Sequence, residues 1–355
     1  MRDVAVVGFA QRQMEEFDGS PTCVELLVPI FAECYEQTGW SRKDVGFWCS
    51  GSSDYLAGRS FSFVQAIDSI GVLPPVNESH VEMDAAWALY EAWLKIQTGE
   101  VDTAVVFGFG KSSAGVLRRT LALQLDPYTM TPLWPDTVSI AALQARLGID
   151  GGIWDERAMA EVVDRSLTDA EKNEYAVRAG GSSVEDLLAR PMFADPLRKH
   201  DCAPVTDGAA ALVLAAGDRA RAVRERPAWI TGISTFSDGL HLGTRDLTGS
   251  DSARRAAAAV DLRGAEVAEL HAPFSHQELI LRRELELADD VRVNPSGGPL
   301  AGNPMFTGGG IRIGEAARRV WDGTADKVLG HATSGPALQQ NLLCVMAADP
   351  AEGSN

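Results

Sequence analysis

Residues 101–111, "VDTAVVFGFGK", and residues 325–335, "ADKVLGHATSG", close two stretches of chain that are written to one plan. Each is a short apolar run that ends in glycine and a polar residue, the pattern of a buried strand. Each follows a segment of helical spacing, "AAWALYEAWLKIQTG" (85–99) in the first half and "GGGIRIGEAARRVWDG" (308–323) in the last. Upstream of the first pair lie "RDVAVVGFAQ" (2–11), read as a strand, and "CVELLVPIFAECYEQTG" (23–39), read as a helix that stops at Gly39. The strand and turn "RKDVGFWCSGSSD" (42–54) follow. Upstream of the second pair the same order recurs as "PAWITGIST" (227–235), "SARRAAAAV" (252–260) and "GAEVAELHAPFS" (264–275). Strand–helix–strand–helix–strand, written twice, predicts an α/β fold of two similar βαβαβ halves. Parallel strands with right-handed crossovers would bring the turns "CSGSSD", "HAPFSHQE" and "HATSGP" to the carboxyl ends of the strands, where such sheets bind ligands.

The halves take residues 1–111 and 223–355. Residues 112–222 read as an inserted loop domain, with the Pro- and Trp-bearing "DPYTMTPLWPD" and helical stretches, closing on "HDCAPVTDGAAALVLAAGDRARA". An insertion of that size on one face of a duplicated core carries substrate or partner contacts.

Composition excludes several roles. With 32 Lys and Arg against 49 Asp and Glu, the formal charge of −17 opposes nucleic acid and anionic membrane surfaces. No apolar run is long enough to span a bilayer, and charges at Arg2, Asp3 and Glu15 interrupt any signal-peptide pattern. The five cysteines (Cys23, Cys34, Cys49, Cys202, Cys344) show no CxxC spacing, and the six histidines no HExxH. This usage fits a reducing cytoplasm and predicts neither a disulfide framework nor a metal site.

Three stretches carry a family resemblance: "DCAPVTDGAAALVLA" (201–215), "ELHAPFSHQELI" (269–280) and "VNPSGGPLAGNP" (293–304). They resemble the thiolase superfamily, and within it the sterol-carrier-protein-x and bacterial lipid-transfer-protein branch, whose counterparts run "CPTSDGAAA", "ELHDCFSxNEL" and "NPSGGLxxxGHP". The likeness covers nearly the whole chain. It implies the thiolase fold, five layers (αβαβα) with an inserted loop domain, an acyl-CoA substrate with CoA as part of that substrate, and no separate cofactor. It implies a homo- or hetero-dimer in which the strand "VDTAVVFGFG" pairs with its twin. It also implies a small zinc-ribbon and OB-fold partner protein.

The departures bear on chemistry. The family's nucleophilic cysteine stands at a helix start, where unpaired N–H groups favour a thiolate. The resemblance places that position at Glu82 in "SHVEMDAAW" (79–87), where Glu82 and Asp84 also read as N-terminal caps. Asn303 replaces the histidine of "GHP"; its amide can donate to a thioester or enolate oxygen but is no base, and it reads equally as a helix cap. His271 matches the histidine of the "LHDCF" turn. His331, in "HATSGP", is the general base favoured by residue type. Gly297, Gly298 and Gly335 are read as substrate-contacting glycines. Without the cysteine, Claisen condensation and thiolysis are disfavoured. Retro-aldol cleavage of a β-hydroxyacyl-CoA, such as a steroid side-chain CoA ester, needs only polarising donors and one base. The branch performs it with tyrosines, whereas this chain has tyrosines only at 35, 55, 90, 128 and 175. The alternatives are an inactive pseudothiolase subunit that scaffolds an active sister chain, and an acyl-CoA or lipid-binding protein.

Overall fold

The computed structural model describes residues 1–15, 22–57, 60–71 and 73–351. Twelve strands occur among them: β1 (Val4–Met14), β2 (Phe47–Gly51), β3 (Glu78–Val81), β4 (Thr103–Lys111), β5 (Met192–Ala194), β6 (Leu197–Arg198), β7 (Asp207–Ala216), β8 (Ala228–Ser237), β9 (Val267–Glu269), β10 (Arg292–Val293), β11 (Lys327–Ser334) and β12 (Gln340–Ala347). Ten of them run in one hydrogen-bonded order, β10-β9-β11-β12-β8-β1-β7-β4-β2-β3, while β5 and β6 form a hairpin of their own.

The order is a repeat read outward from its middle. On one side β1 pairs antiparallel with β7 and β7 with β4, and then β4–β2 and β2–β3 are parallel. On the other side β8–β12 and β12–β11 are antiparallel, and β11–β9 and β9–β10 are parallel. The two halves join through β1 and β8, registered at Ala5 with Trp229 and Val6 with Ala228.

Helices Ala85–Gln97 and Gly308–Trp321 fill the space between the halves. A single core cluster joins Leu89 and Ile96 of the first and Ile313 and Val320 of the second to Val106 and Leu212 on one sheet face and Val328 and Met346 on the other. The opposite face of the first half packs under helix Cys23–Thr38, through Leu27, Ile30 and Phe31. The opposite face of the second half packs under Asp251–Ala258 and Ser275–Glu284. Helix, sheet, helix pair, sheet, helix: these are the five layers expected from the resemblance.

Two expectations change. The halves are not wholly parallel, because "DGAAALVLAA" and "QNLLCVMA" enter the sheets as β7 and β12. Both are buried nearly end to end, and each sits as an antiparallel strand between two others. β7 thus belongs to the first half although it lies within 112–222, and the stretch outside the ten-stranded order ends near residue 206. The strand "VDTAVVFGFG" is not an open edge either. As β4 it is covered by β7 on one side and β2 on the other, and the exposed edge of that half is β3, "ESHV".

Glycines in β4 set the loop that will matter for function. Residues 304–306 lie flat across β4, where a Cβ on Gly108 would stand 2.5 Å from the Phe306 carbonyl oxygen and one on Gly110 2.2 Å from that of Met305. The loop is tied down by Ala85 N–H donating to Phe306 O at 2.9 Å and Asn303 N–H to Thr206 Oγ1 at 3.0 Å. Gly110→Ala should therefore push the loop off the sheet and lower stability by roughly 1–3 kcal/mol, the usual range for overpacking, read as a lower urea midpoint. An unchanged midpoint would show that the loop does not rest on β4.

Candidate active site

A cleft of about 350 Å³ opens where the ends of the central strands and helices meet the inserted segment. Four side chains stand at its base: Asp84, His271, Asn303 and Thr333. They come from the first central helix, the turn after β9, the loop before the second central helix and the end of β11. Apolar residues of the inserted segment, Leu117, Leu121, Val138 and Ile140, form one wall, with Phe274 and Leu338 facing them. Arg118, Arg178 and Lys199 also border the cleft.

The hydrogen bonds at the base fix the polarity of each group. The backbone N–H of Thr333 donates to His271 Nδ1 at 3.3 Å, so the ring's proton sits on Nε2. That N–H meets Asn303 Oδ1 at 2.9 Å. The amide oxygen of Asn303 is thereby occupied, and its NH₂ group is left to donate elsewhere. Burial pushes the His271 imidazole down to about 4, and the bond to Asn303 offsets this in part. His271 is a neutral residue that orients Asn303, not a base.

Asp84 is the N-cap of helix Ala85–Gln97 and also caps the second central helix. Its Oδ1 accepts from Ala86 N–H and Gly310 N–H, both at 2.9 Å, and its Oδ2 from Gly309 N–H at 3.0 Å. Burial pushes the carboxyl above the ordinary carboxylate range, and the three N–H donors pull the other way. Glycines at the start of the second helix make room. A Cβ on Gly308 would stand 2.7 Å from both Asn303 Oδ1 and His271 Nε2, and one on Gly309 2.7 Å from Asp84 Oδ1.

Several residues singled out in the sequence fall elsewhere. Glu82 is exposed, pairs with His80 at 3.6 Å and does not border the cleft. The acidic side chain that does is Asp84, two residues on, because the helix starts at Ala85 and its cap turns inward. His331 is wholly buried beneath the base. Its Nδ1 accepts from the His271 backbone N–H at 3.2 Å and its Nε2 meets Asn341 Oδ1 at 2.9 Å, so both nitrogens are engaged. Burial lowers it to about 3, and it has neither the free lone pair nor the access that a general base needs. Gly297 and Gly298 are buried with left-handed φ of 92° and 59°, packed against Ala170, Ala301 and Asn294 rather than the cleft; Gly335 does border it.

Two cleft residues carried weaker signals. Thr333 stands near the end of β11, its hydroxyl donating to Gln340 O at 2.9 Å. Cys202 borders the cleft, but burial raises its thiol to about 12 and its Sγ lies 3.7 Å from Arg198 O, so it is no thiolate nucleophile. Among the described residues no three His, Cys, Asp or Glu side chains gather as a metal site would require, and no helix is long and apolar enough to cross a membrane.

Duplicated halves around two buried helices, with the base of the cleft at their N-termini, define a thiolase-fold protein. Its sequence is similar to those of thiolase-superfamily proteins. It is 28% identical to an acetyl-CoA acetyltransferase of Methanocaldococcus jannaschii, across 89% of each chain, and 26% identical to that of Methanothermobacter thermautotrophicus, across 90% of this chain and 91% of the relative. About half of it, 48%, aligns at 25% identity with half of the benzoylsuccinyl-CoA thiolase subunit BbsB of Thauera aromatica. Among solved structures it superposes on the Ltp2-ChsH2(DUF35) aldolase with a TM-score of 0.80 at 18% identity over 98% of both chains. On human mitochondrial 3-ketoacyl-CoA thiolase the TM-score is 0.74 at 16% identity, over 98% of this chain and 99% of that one. No protein-family model matches the sequence.

The buried histidines set an acid limit. His276, wholly buried near Gln144 and away from the cleft, is lowered to about 3 by burial. An unfolded histidine takes its proton near 6.5. This one's contribution is therefore full above that pH and is lost as pH falls towards the folded value. Between pH 7 and pH 5 the loss is about 2 kcal/mol for one such group. His276→Gln should shrink the stability difference between those two pH values by about that amount, as measured by denaturant unfolding. An equal difference in both proteins would mean that His276 titrates in the fold as it does in the unfolded chain.

Proposed function

We propose that the chain is a thiolase-like subunit that acts on an acyl-CoA thioester by carbon–carbon bond cleavage, a retro-aldol reaction on a β-hydroxyacyl-CoA, without an acyl-enzyme. The observation that carries this reading is the Asn303 amide. His271 takes up its oxygen and leaves its N–H groups as donors at the base of an apolar cleft. Such a donor stabilises the enolate oxygen that forms when the bond to the α-carbon breaks. The resemblance puts the nucleophile at Glu82, which is exposed; the acidic side chain that borders the cleft is Asp84, and the cysteine among its described lining residues is protonated at neutral pH. Arg118, Arg178 and Lys199 supply positive charge for the phosphates of CoA, and the apolar wall suits a bulky β-substituent such as a steroid side-chain ester.

The relatives' names suit an acyl-CoA substrate, and the name of the Ltp2-ChsH2(DUF35) aldolase suits the reaction and a DUF35 partner; the small zinc-ribbon and OB-fold partner is what the family resemblance implies. The open β3 edge offers unpaired backbone groups for a dimer with a second thiolase-like chain. We place the protein in the cytoplasm. A second reading, an inactive subunit that scaffolds a catalytic sister, is favoured by the burial of His331 and by the engagement of both its nitrogens.

The test is incubation of the full chain with a β-hydroxyacyl-CoA whose hydroxyl is tertiary, and mass spectrometry of the products. The proposal expects a ketone and a shortened acyl-CoA, with the protein mass unchanged throughout. Asn303→Ala should slow release by roughly 10²-fold or more, the usual effect of losing one oxyanion donor. An acyl adduct on any cysteine would restore the thiolase reaction. No ketone from this chain, but ketone when a sister thiolase-like chain is added and lost when that sister's site is mutated, would establish the scaffold reading.

A further inference from the structure

A retro-aldol step needs a group to take the β-hydroxyl proton, and most polar groups of the cleft are unsuited to it. His271 has one nitrogen protonated and the other occupied by Thr333 N–H. The Thr333 hydroxyl is spent on Gln340 O, the Cys202 thiol is protonated, and Arg118, Arg178 and Lys199 are cations. Among the described residues bordering the cleft, Asp84 is the one carboxylate.

We propose, on the footing of the aldolase reading above, that Asp84 is the proton-accepting residue of the reaction and that its Oδ2 is the atom that takes the proton. A carboxylate offers two in-plane lone pairs on each oxygen. Both on Oδ1 are filled, by Ala86 N–H and Gly310 N–H, while Oδ2 accepts from Gly309 N–H alone. One acceptor position is therefore vacant, and a proton can bind there without breaking any bond that holds the two helices. Burial, which raises this carboxyl's affinity for a proton, adds to the case. The placement also suits the substrate. Adjacent glycines of one helix turn, Gly308 and Gly309, leave room for the His271–Asn303 pair and for Asp84 respectively, so the donor and the acceptor flank the same short stretch of backbone. In a β-hydroxy thioester the carbonyl carbon and the hydroxyl-bearing carbon are likewise separated by a single carbon.

The step balances. The O–H proton passes to Asp84 Oδ2, the hydroxyl oxygen's electrons form the ketone C=O, and the bond between the α- and β-carbons breaks. Its electron pair becomes the thioester enolate held by Asn303. The enolate carbon then takes the proton back from Asp84, which releases the shortened acyl-CoA and restores the carboxylate.

The experiment uses the full chain, the same β-hydroxyacyl-CoA, and an analogue without the 3-hydroxyl that binds but cannot be cleaved. Asp84→Ser keeps a good helix cap and removes the carboxylate; Asp84→Asn keeps the shape. Both should cut ketone release by at least roughly 10²-fold, while calorimetry gives a Kd for the analogue within about threefold of the unaltered chain and circular dichroism shows the same fold. Formate added to Asp84→Ser should recover part of the rate, which a merely structural role would not produce. Cleavage by a folded Asp84→Ser protein within tenfold of the unaltered chain overturns the assignment and leaves the aldolase reading standing. Absence of ketone from the unaltered chain removes both.

Discussion

Two α-helices whose N-termini converge in a protein interior present their positive ends and unpaired N–H groups to one another, and an acceptor between them stabilises the pair, most of all a charged one. That acceptor is the carboxylate of Asp84. One residue satisfies N–H groups at the starts of both Ala85–Gln97 and Gly308–Trp321, the two helices that fill the space between the sheets. Because each helix packs on both halves of the sheet, the positions of the halves, the loop 303–307 and the base of the cleft all follow from how these two helices meet. The glycine run 308–310 follows too. A side chain at 309 would strike Asp84, and one at 310 would strike Ala85.

A second buried network supports the other side of the base. Glu269, at the end of β9, accepts from Arg312 Nη1 at 2.9 Å and from the hydroxyl and N–H of Ser296 at 2.7 and 3.1 Å. Glu269 and Arg312 are almost wholly enclosed, so removing either partner would strand a charge in the interior. The network ties the second central helix to the strand that leads into His271 and to the turn "NPSGG". The serine and glycines of that turn therefore support the site from behind. In sequence they look like ligand-binding residues because both roles call for small side chains and close backbone approach.

The sequence was most informative where periodicity carries meaning. The repeated strand–helix order gave the duplicated halves and both central helices, since long amphipathic helices and continuous apolar strands have distinct periods. Periodicity is silent on pairing direction. β7 reads as the apolar close of the insertion, although it, like β12, is an antiparallel strand between two others. β3, four residues of "ESHV" at an exposed edge, has no apolar pattern to find. The site was legible in its neighbours rather than in its depth. His271 and Asn303, both marked by the resemblance, meet at 2.9 Å. His331 and Thr333, however, lie two residues apart on β11, roughly 7 Å of strand, and that distance separates a buried structural histidine from a cleft residue. Residue type favoured the histidine; position favours the threonine. Asp84 showed the cap signature of an acid before an apolar helical run, but its reach to a second helix 225 residues away has no trace in local sequence.

An anion between two helix N-termini also decides which chemistry such a site supports. A thiolate there would be stabilised by the same N–H groups and would attack a thioester, making the cleft an acyl-transfer site. A carboxylate gains the same stabilisation but exchanges acyl groups poorly, and its presence denies the position to any other nucleophile. Donors aimed at the thioester oxygen remain useful, because stabilising an enolate needs no covalent intermediate. In the proposed reading, a carboxylate at this junction would keep the two helices together and leave the Asn303 donor free to polarise a thioester. On that reading covalent catalysis is absent, and the reactions that fit are those in which the enolate forms by breaking a bond already present in the substrate.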